Sequence, residues 1–324
     1  MKNKRPLIYL AAVIVAALVV LAVERPETPR VNDVGEGTFS PGFDSEKVMR
    51  VEVSQLMDGA VLERQGKRWR VSEMTAPLRK QLLEKEGREP PPARWYRADS
   101  SRIASALGSF GGLGEGLAVS SNPQKSSLYQ VDATGLSVRL IGADDKPIVD
   151  VVIGKNGPDL ASSYIKRASG DTVYLVRRPM TGAFSPSAQD WRDRKIWVFE
   201  PKDLAAVKVE SANGAWGMTR DASGSWQLTD TSGGTIDGAK AQKDAAILCA
   251  VRASGFQEDS EDLKLAKPQI TISITDINGK SISLEIFPAA SDGSYPARIP
   301  GDDEIYLLSK EFVESIPLAA PVGG

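Results

Sequence analysis

The residue types that most enzymes use near neutral pH are scarce in this sequence. The 324 residues include no histidine and one cysteine, Cys249. Catalysis by Ser-His-Asp or Cys-His, histidine-ligated zinc and the usual general base are therefore excluded. Cys249 lies in the apolar stretch DAAILCAV, which predicts a small buried core residue rather than a reactive thiol.

Two glycine-containing stretches invite comparison with phosphate-binding loops. GGLGEG, at residues 111–116, follows a predicted helix and precedes a strand, the reverse of the order in dinucleotide-binding and P-loop proteins. VVIGKNG places Gly154 and Lys155 after a strand, with no clear helix behind them. Both stretches are interpreted as turns, and no cofactor is predicted.

The charged residues give no clear sign of chemistry either. A net charge of -2 and the absence of any recognisable nucleic-acid-binding motif argue against a nucleic-acid partner. The acidic segment QEDSEDLK, at 257–264, lacks the glycine and final glutamate of an EF-hand loop, so no metal site is predicted. A hydrolase using two carboxylates is a remote alternative, since no pair of acids is singled out by position. We expect a protein that is not an enzyme.

The amino terminus has the pattern of a membrane anchor. Three basic residues within the first five positions precede residues 7–23, which carry no charge. As a helix these would span about 26 Å, close to the roughly 30 Å hydrocarbon core of a bilayer. The positive-inside rule places the amino terminus in the cytoplasm and exports the remainder. We predict a stub and anchor at 1–24 and a flexible tether at 25–42, with a cleaved signal peptide as the alternative.

The rest of the chain repeats one pattern. FDSEKVMRVEV, from Phe43, and FEPKDLAAVKV, from Phe199, both end in a strand of alternating valines, and two more strands follow each. The third strand contains KRWRVSE in the first copy and GSWQLTD in the second. The alternation predicts antiparallel meanders with one buried face, and core positions for Trp69 and Trp226.

Each meander is followed by a helix, for which Asp99 and Asp237 are the predicted N-caps. Strands then return around a DDKP turn in the first copy and an Asn-Gly turn in the second. Two closing strands align Tyr174 with Tyr306, and short helices, RPMTGAF and SKEFVESI, end the copies. We predict an α+β fold class: an N-terminal transmembrane helix followed by two tandem βββαββββα repeat lobes with mostly antiparallel sheets.

The predicted domain limits follow from this alignment. The first lobe spans 43–185 and the second 199–317, separated by an inter-lobe segment at 186–198 and followed by a tail at 318–324. The first lobe alone carries an insertion, 74–96.

The insertion and the inter-lobe segment are the candidate partner contacts. The insertion reads as a short charged helix, PLRKQLLEKEG, and a stiff extended EPPPA, and it is either a docking surface or a tolerated loop. The inter-lobe WRDRK combines residue types enriched at interfaces, although Trp191 and Trp197 could instead lock the lobes together. The candidate contact residues are Leu78, Leu82, Arg94, Trp95, Trp191, Arg192 and Arg194.

The chain resembles the bacterial domain-of-unknown-function 4340 family in the order of its features. These features are the basic terminus, the anchor, the V-x-V strands, the Trp hairpins, the Asp-capped helices and the closing VYLV and IYLL. The resemblance covers residues 43–316, and WRDRKIWVFEPKDL is similar to the family's inter-repeat segment. It implies a single-pass protein of the bacterial inner membrane with a periplasmic body, auxiliary to an ABC transporter of the gliding-motility type. It assigns no catalytic residues or cofactor, and the insertion at 74–96 departs from the pattern.

We therefore expect a membrane-anchored binding or scaffold subunit. Its partners would be the bilayer, through residues 7–23, and, by resemblance, the permease and ATPase of the transporter. A module that binds cell-wall glycan or an exported polymer is the alternative, and it would need aromatic side chains exposed on one concave face. Burial of Trp69, Trp95, Trp191 and Trp226 would remove the main support for that alternative.

Overall fold

The computed structural model describes residues 39–229, 235–257, 267–302 and 304–323. The predicted anchor at 7–23 and the tether up to residue 38 lie outside these ranges. Among the described residues, no helix is long and apolar enough to cross a membrane.

The described chain is mostly β-structure and divides into two lobes, each built on a large antiparallel sheet. Contacts between Cα atoms divide the chain between Arg192 and Asp193, within the predicted inter-lobe segment. Each lobe has its own hydrophobic core. We call the part up to residue 192 the first unit and the part from residue 193 the second unit.

Within residues 39–192, nine strands form one sheet in the order β4-β3-β2-β1-β6-β7-β8-β9-β5. Its strands are β1 (Arg50–Gln55), β2 (Asp58–Gln65), β3 (Arg68–Glu73), β4 (Tyr96–Arg97), β5 (Leu117–Ser120), β6 (Leu136–Ile141), β7 (Pro147–Asn156), β8 (Ser163–Arg167) and β9 (Val173–Val176).

In the described residues of the second unit, eight strands form a sheet in the order β13-β12-β11-β16-β17-β18-β19-β15, and β10 pairs with β14 in a separate ribbon. These strands are β10 (Lys195–Val198), β11 (Leu204–Ser211), β12 (Gly214–Arg220), β13 (Trp226–Leu228), β14 (Ala250–Arg252), β15 (Gly255–Gln257), β16 (Ile270–Asp276), β17 (Ser281–Ile286), β18 (Tyr295–Arg298) and β19 (Ile305–Leu308). The strand order across the second sheet, from β13 to β15, matches the order across the first sheet from β3 to β5. In this match β1 corresponds to β11 and β6 corresponds to β16.

The α-helices of the described residues are α1 (Pro77–Lys85), α2 (Ser100–Gly108), α3 (Gly238–Leu248) and α4 (Lys310–Ser315). The predicted N-caps of α2 and α3 are confirmed. The Asp99 carboxylate accepts from the backbone N–H groups of Ser101 and Arg102, and Asp237 accepts from those of the matching positions in α3. Each cap satisfies two donors that the first turn of a helix leaves unpaired.

The valine alternation places the cores as predicted. Val51 and Val53 are buried opposite Leu140 and Val138 of β6, and Val207 and Val209 are buried opposite isoleucines of β16 in the same register. Each such side chain contributes about 1.5–3 kcal/mol when it leaves water. Phe39 is 1% exposed and its N–H donates to the carbonyl of Leu113, so the folded unit begins before residue 43.

An arginine and a tryptophan form the same corner in both meanders. Arg64 lies opposite Trp69 in the β2–β3 pair, and its guanidinium donates to the backbone oxygen of Glu46 at 2.9 Å. Arg220 lies opposite Trp226 and donates to the backbone oxygen of Pro201, also at 2.9 Å. Both acceptors lie in the short 3-10 helix that precedes the first strand. We call this arrangement the Arg–Trp corner.

Three details differ from the sequence-based prediction. In each large sheet a fifth strand follows the helix, because β5 and β15 pair with the last strand of their sheets. The terminal helix predicted for RPMTGAF is wrong: residues 181–183 form a turn, the N–H of Met180 donates to buried Ser163, and the residue before Pro179 is disfavoured in a helix. The turn predicted at Gly154 and Lys155 is also wrong, since both lie in β7.

The predicted tail packs against the second unit. Val322 forms a bridge with Ile236, and the N–H of Asp237 donates to the carbonyl of Pro321. The carbonyl of Pro317 accepts from the indole N–H of Trp216 at 3.0 Å. These contacts continue the second unit beyond the predicted limit at residue 317.

Candidate partner-binding surface

The insertion connects β3 to the edge strand β4 of the first unit. Ala76 is fully buried and fixes the start of α1, and Pro77 occupies the first turn, where its missing N–H costs nothing. The predicted charged helix is confirmed by α1. No residue of α1 is buried, so the chain segments at its two ends, rather than its own side chains, position the helix.

The apolar side chains of α1 point to solvent. Leu78 and Leu82 are 43% and 40% exposed, and their i, i+4 spacing puts them side by side on one helix face. A nine-residue helix is too short to be stable in water by itself, because helix nucleation is costly. An exposed pair of leucines on such a helix is a surface that a partner can cover.

The extended part of the insertion ends in a stack of arginines and aromatic rings. The Arg70 guanidinium lies 4.1 Å from the Trp95 ring centre and also pairs with Glu63 at 2.6 Å. Two guanidinium groups lie over the Tyr96 ring, that of Arg192 at 3.8 Å from its centre and that of Arg94 at 5.5 Å. Cations placed over aromatic faces are attracted by the ring quadrupole, so the stack stiffens this edge of the sheet.

Trp191 and Arg192 form the base of this stack. Trp191 is 1% exposed and its indole N–H donates to the carbonyl of Ser185 at 2.8 Å, while Arg192 is 2% exposed. Their backbones hold the start of α2, since the N–H of Asp99 donates to the carbonyl of Trp191 and Ala98 bridges to Arg192. Both side chains therefore support the surface from inside the first unit.

The predicted contact residues thus fall into three groups. Leu78 and Leu82 lie on exposed α1, and the structure brings Arg94, Trp95, Trp191 and Arg192 together around β4. Arg194 belongs to the second unit, where its side chain is exposed and its carbonyl accepts from the N–H of Ala253. We define the insertion surface as Leu78, Leu82, Arg94, Trp95 and Tyr96.

The segment that carries the insertion surface is basic. Residues 74–97 contain six lysines or arginines and three glutamates, in a chain whose net charge is -2. Arg94 is exposed and Trp95 is half-buried at its tip. Sequence reasoning did not single out Tyr96, although an arginine on either side of WY was a usable signal.

The other tryptophans are core residues. Trp69, Trp191, Trp197, Trp216 and Trp226 are each at most 7% exposed, so the core assignment of Trp69 and Trp226 is confirmed. Trp191 packs in the core of the first unit and Trp197 in that of the second, where its N–H donates to the carbonyl of Leu248. Trp95 is the one tryptophan of the described chain with a partly accessible side chain.

Most of the acidic side chains with a shifted pKa accept hydrogen bonds from nearby residues in turns. A hydroxyl donor two or three residues ahead lowers the pKa of Asp132, Asp159, Asp221 and Asp292. This is the opposite of what a general acid requires. Burial raises the pKa of the Cys249 thiol, which is 7% exposed, as expected for the predicted core residue. Within the described ranges, no group of three or more possible metal-ligating side chains is present.

Comparison with known proteins identifies the family. A model for a domain of unknown function, DUF4340, matches residues 91–268, more than half of the 324 residues. The chain belongs to the DUF4340 family. The matched region of this DUF4340 protein includes Arg94, Trp95 and the inter-lobe segment, whereas α1 lies before it. No curated protein matches the chain significantly.

Two solved structures show a weak likeness that carries no argument. One is a DNA polymerase sliding clamp from Pseudomonas aeruginosa, with 8% identity, 82% of this chain covered and a TM-score of 0.17. The other is the beta subunit of DNA polymerase from Streptococcus pyogenes, with 9% identity, 85% of this chain covered and a TM-score of 0.17. The DUF4340 chain covers 57% and 62% of the length of those two chains.

Proposed function

We propose that this protein is a non-enzymatic binding or scaffold subunit that presents the insertion surface to a protein partner. The observation that carries the proposal is the unburied helix α1, whose Leu78 and Leu82 have no core to pack against. Arg94 and Trp95, further along the same insertion, are residue types enriched at interface hot spots.

The setting of this surface is also part of the proposal. Residues 7–23 would hold the protein in the bacterial inner membrane as a single span, with the amino terminus in the cytoplasm and the body in the periplasm. The partner, by family resemblance, would be the permease and ATPase of an ABC transporter of the gliding-motility type. The anchor helix would then pack against permease helices.

We further propose that the two units are tandem copies of one unit, in which a three-stranded meander and a helix precede five further strands of the same sheet. The shared strand order, the shared register of the valine strands and the repeated Arg–Trp corner support this origin. The insertion has no equivalent length in the second unit, where Trp226 precedes the helix cap Asp237 by only 11 residues. The copy that carries the insertion is accordingly the one assigned to the partner.

The test is co-purification of the full chain with the transporter from membranes solubilised under conditions that keep such complexes intact. Wild-type protein is expected to recover a permease and its ATPase together. The double substitution Leu78→Gln and Leu82→Gln should lose them, because a polar face cannot replace leucines that the partner would cover. Leu128→Gln, at a 60% exposed leucine elsewhere on the first unit, is the matched control. Undiminished recovery with the double variant would contradict the assignment of the surface.

The glycan-binding alternative keeps one supporting residue. Aromatic stacking on a sugar needs accessible rings, and Trp95 is the partly accessible tryptophan in the described chain. Its face is already covered by the Arg70 guanidinium at 4.1 Å, which favours a structural stack over an open sugar platform.

A further inference from the structure

A cleft of about 240 Å³ opens in the first unit, and none of its lining residues belongs to the insertion surface. Its walls come from the end of β1, the loop 130–136, the end of β7 around Lys155, and residues 181–186. Leu136, Ile153 and Phe184 supply its apolar lining. At about 30 Å³ per water, the cleft holds roughly eight waters, the size of a single sugar ring.

One residue of the cleft wall differs in size in the second unit. Strand register aligns Ile153, opposite Ile165, with Ile286, opposite Ala297, so Gly154 matches Phe287. Phe287 is fully buried. The small residue of the cleft wall in the first unit thus corresponds to a buried phenylalanine in the second.

Glycines hold the cleft wall in place. A Cβ atom on Gly154 would lie 2.1 Å from the carbonyl oxygen of Tyr129, and one on Gly135 would lie 2.5 Å from that of Gln130. Gln130 itself has φ of 55°, a left-handed conformation that is uncommon for a residue other than glycine. The loop thus lies directly on β7, which explains why Gly154 occupies a strand.

The polar lining is already partly committed to the protein. The hydroxyls of Thr134, Thr181 and Ser185 donate to Asp132, Asn156 and Asp190 at 2.6–2.7 Å. The Gln55 amide donates to the carbonyl of Thr134. What these groups still offer to a ligand is oxygen lone pairs, which accept hydrogen bonds from ligand hydroxyls.

Lys155 supplies the charge. It is exposed and is the one charged residue of the lining, and no ion pair of Lys155 is present among the described residues; the carboxylates of Asp132 and Asp190 are engaged by the hydroxyls of Thr134 and Ser185. A lysine ammonium favours an anionic group, and the cleft around it favours hydroxyl donors.

We propose that this cleft binds a small hydroxylated carboxylate, a sugar acid, with its carboxylate on Lys155 and its hydroxyls on Gln55, Thr181 and Ser185. This site does not depend on the proposed partner surface, since the two share no residue.

The test uses the full chain in detergent, titrated by calorimetry with D-glucuronate, and with D-glucose as the uncharged probe. Saturable binding of glucuronate and about tenfold or more weaker binding of glucose are expected. Lys155→Met should weaken glucuronate binding to a similar degree, and Thr181→Val should weaken the binding of both sugars. Lys146→Met, at an exposed lysine on the β6–β7 turn, is the control and should leave binding unchanged.

Circular dichroism of each variant confirms that it is folded. Glucuronate that fails to bind the wild type, or that binds Lys155→Met as tightly as the wild type, would overturn the proposal. Equal affinity for glucose and glucuronate would also overturn it, because the charge on Lys155 would then play no part.

Discussion

The helix that follows the meander packs with different side chains in the two units. In α2 and the turn that follows it the buried side chains are Ile103, Ala106, Leu107 and Phe110, and on α3 the matching positions, counted from the N-caps, are Ala241, Asp244, Ala245 and Leu248. One unit therefore buries large apolar groups where the other buries smaller ones and a carboxylic acid. The strand order and the Arg–Trp corner are unchanged across this difference. The sheet and its corner, rather than the helix face, define the shared frame.

The largest expected effect comes from substitutions in the Arg–Trp corner, which test whether it has the same role in both units. Trp69→Ala and Trp226→Ala should each cost about 3–5 kcal/mol of unfolding free energy in their own unit, because each leaves a large cavity in a core. Hydrogen exchange resolved by mass spectrometry would show faster exchange in the first unit for one variant and in the second for the other.

A substitution of the half-buried Trp95 is the control for both core variants. Trp95→Ala should have a much smaller effect, since it removes a stacking contact from the edge strand and opens no core cavity. If one core variant destabilised its unit and the other did not, the Arg–Trp corner would not have the same role in the two copies.

The second prediction concerns Asp244. Its side chain is 5% exposed, one carboxylate oxygen has no hydrogen-bond partner in the described structure, and burial raises its pKa. A carboxylic acid with a raised folded-state pKa destabilises the fold at high pH, and the penalty fades as the pH falls through that pKa towards the unfolded value of about 3.9. Asp244→Ala, which copies Ala106 of the first unit, should therefore stabilise the second unit by about 1–3 kcal/mol at pH 7.

The pH dependence separates this explanation from a simple change in helix propensity. The gain from Asp244→Ala in urea unfolding should shrink between pH 7 and pH 4, whereas a gain from propensity alone would stay constant. The reverse substitution, Ala106→Asp, should destabilise the first unit at pH 7. A loss of stability with Asp244→Ala would mean that the carboxylate has a favourable partner in the folded protein.

Much of this comparison could be predicted from the sequence. Alternation in the V-x-V strands fixes which face is buried, and an aspartate before an apolar-periodic run fixes the start of α2 and α3. These signals are local, so a single sequence contains them. The core positions of Trp69 and Trp226 follow from the same alternation.

The remaining features depend on contacts that are distant in sequence. Gly154 reads as a turn because glycine weakens strands, but here it leaves room for the carbonyl of Tyr129. A charged residue such as Asp244 is not expected in a core, and the N–H of Met180 donates to the buried hydroxyl of Ser163, which is 17 residues earlier in the chain. None of these partners can be recognised from neighbouring residues.

The smallest expected effect concerns the insertion, which has no counterpart of similar length in the second unit. Leu78→Gln with Leu82→Gln should change the unfolding free energy of the first unit by no more than about 0.5 kcal/mol, because both side chains are exposed and glutamine is a good helix former. Thermal unfolding of the variant and the wild type measures the difference. A loss well above this would show that α1 packs within its own unit and is no free surface. A negligible change, together with lost recovery of the transporter, would assign these leucines to binding and leave the shared sheet as the source of stability.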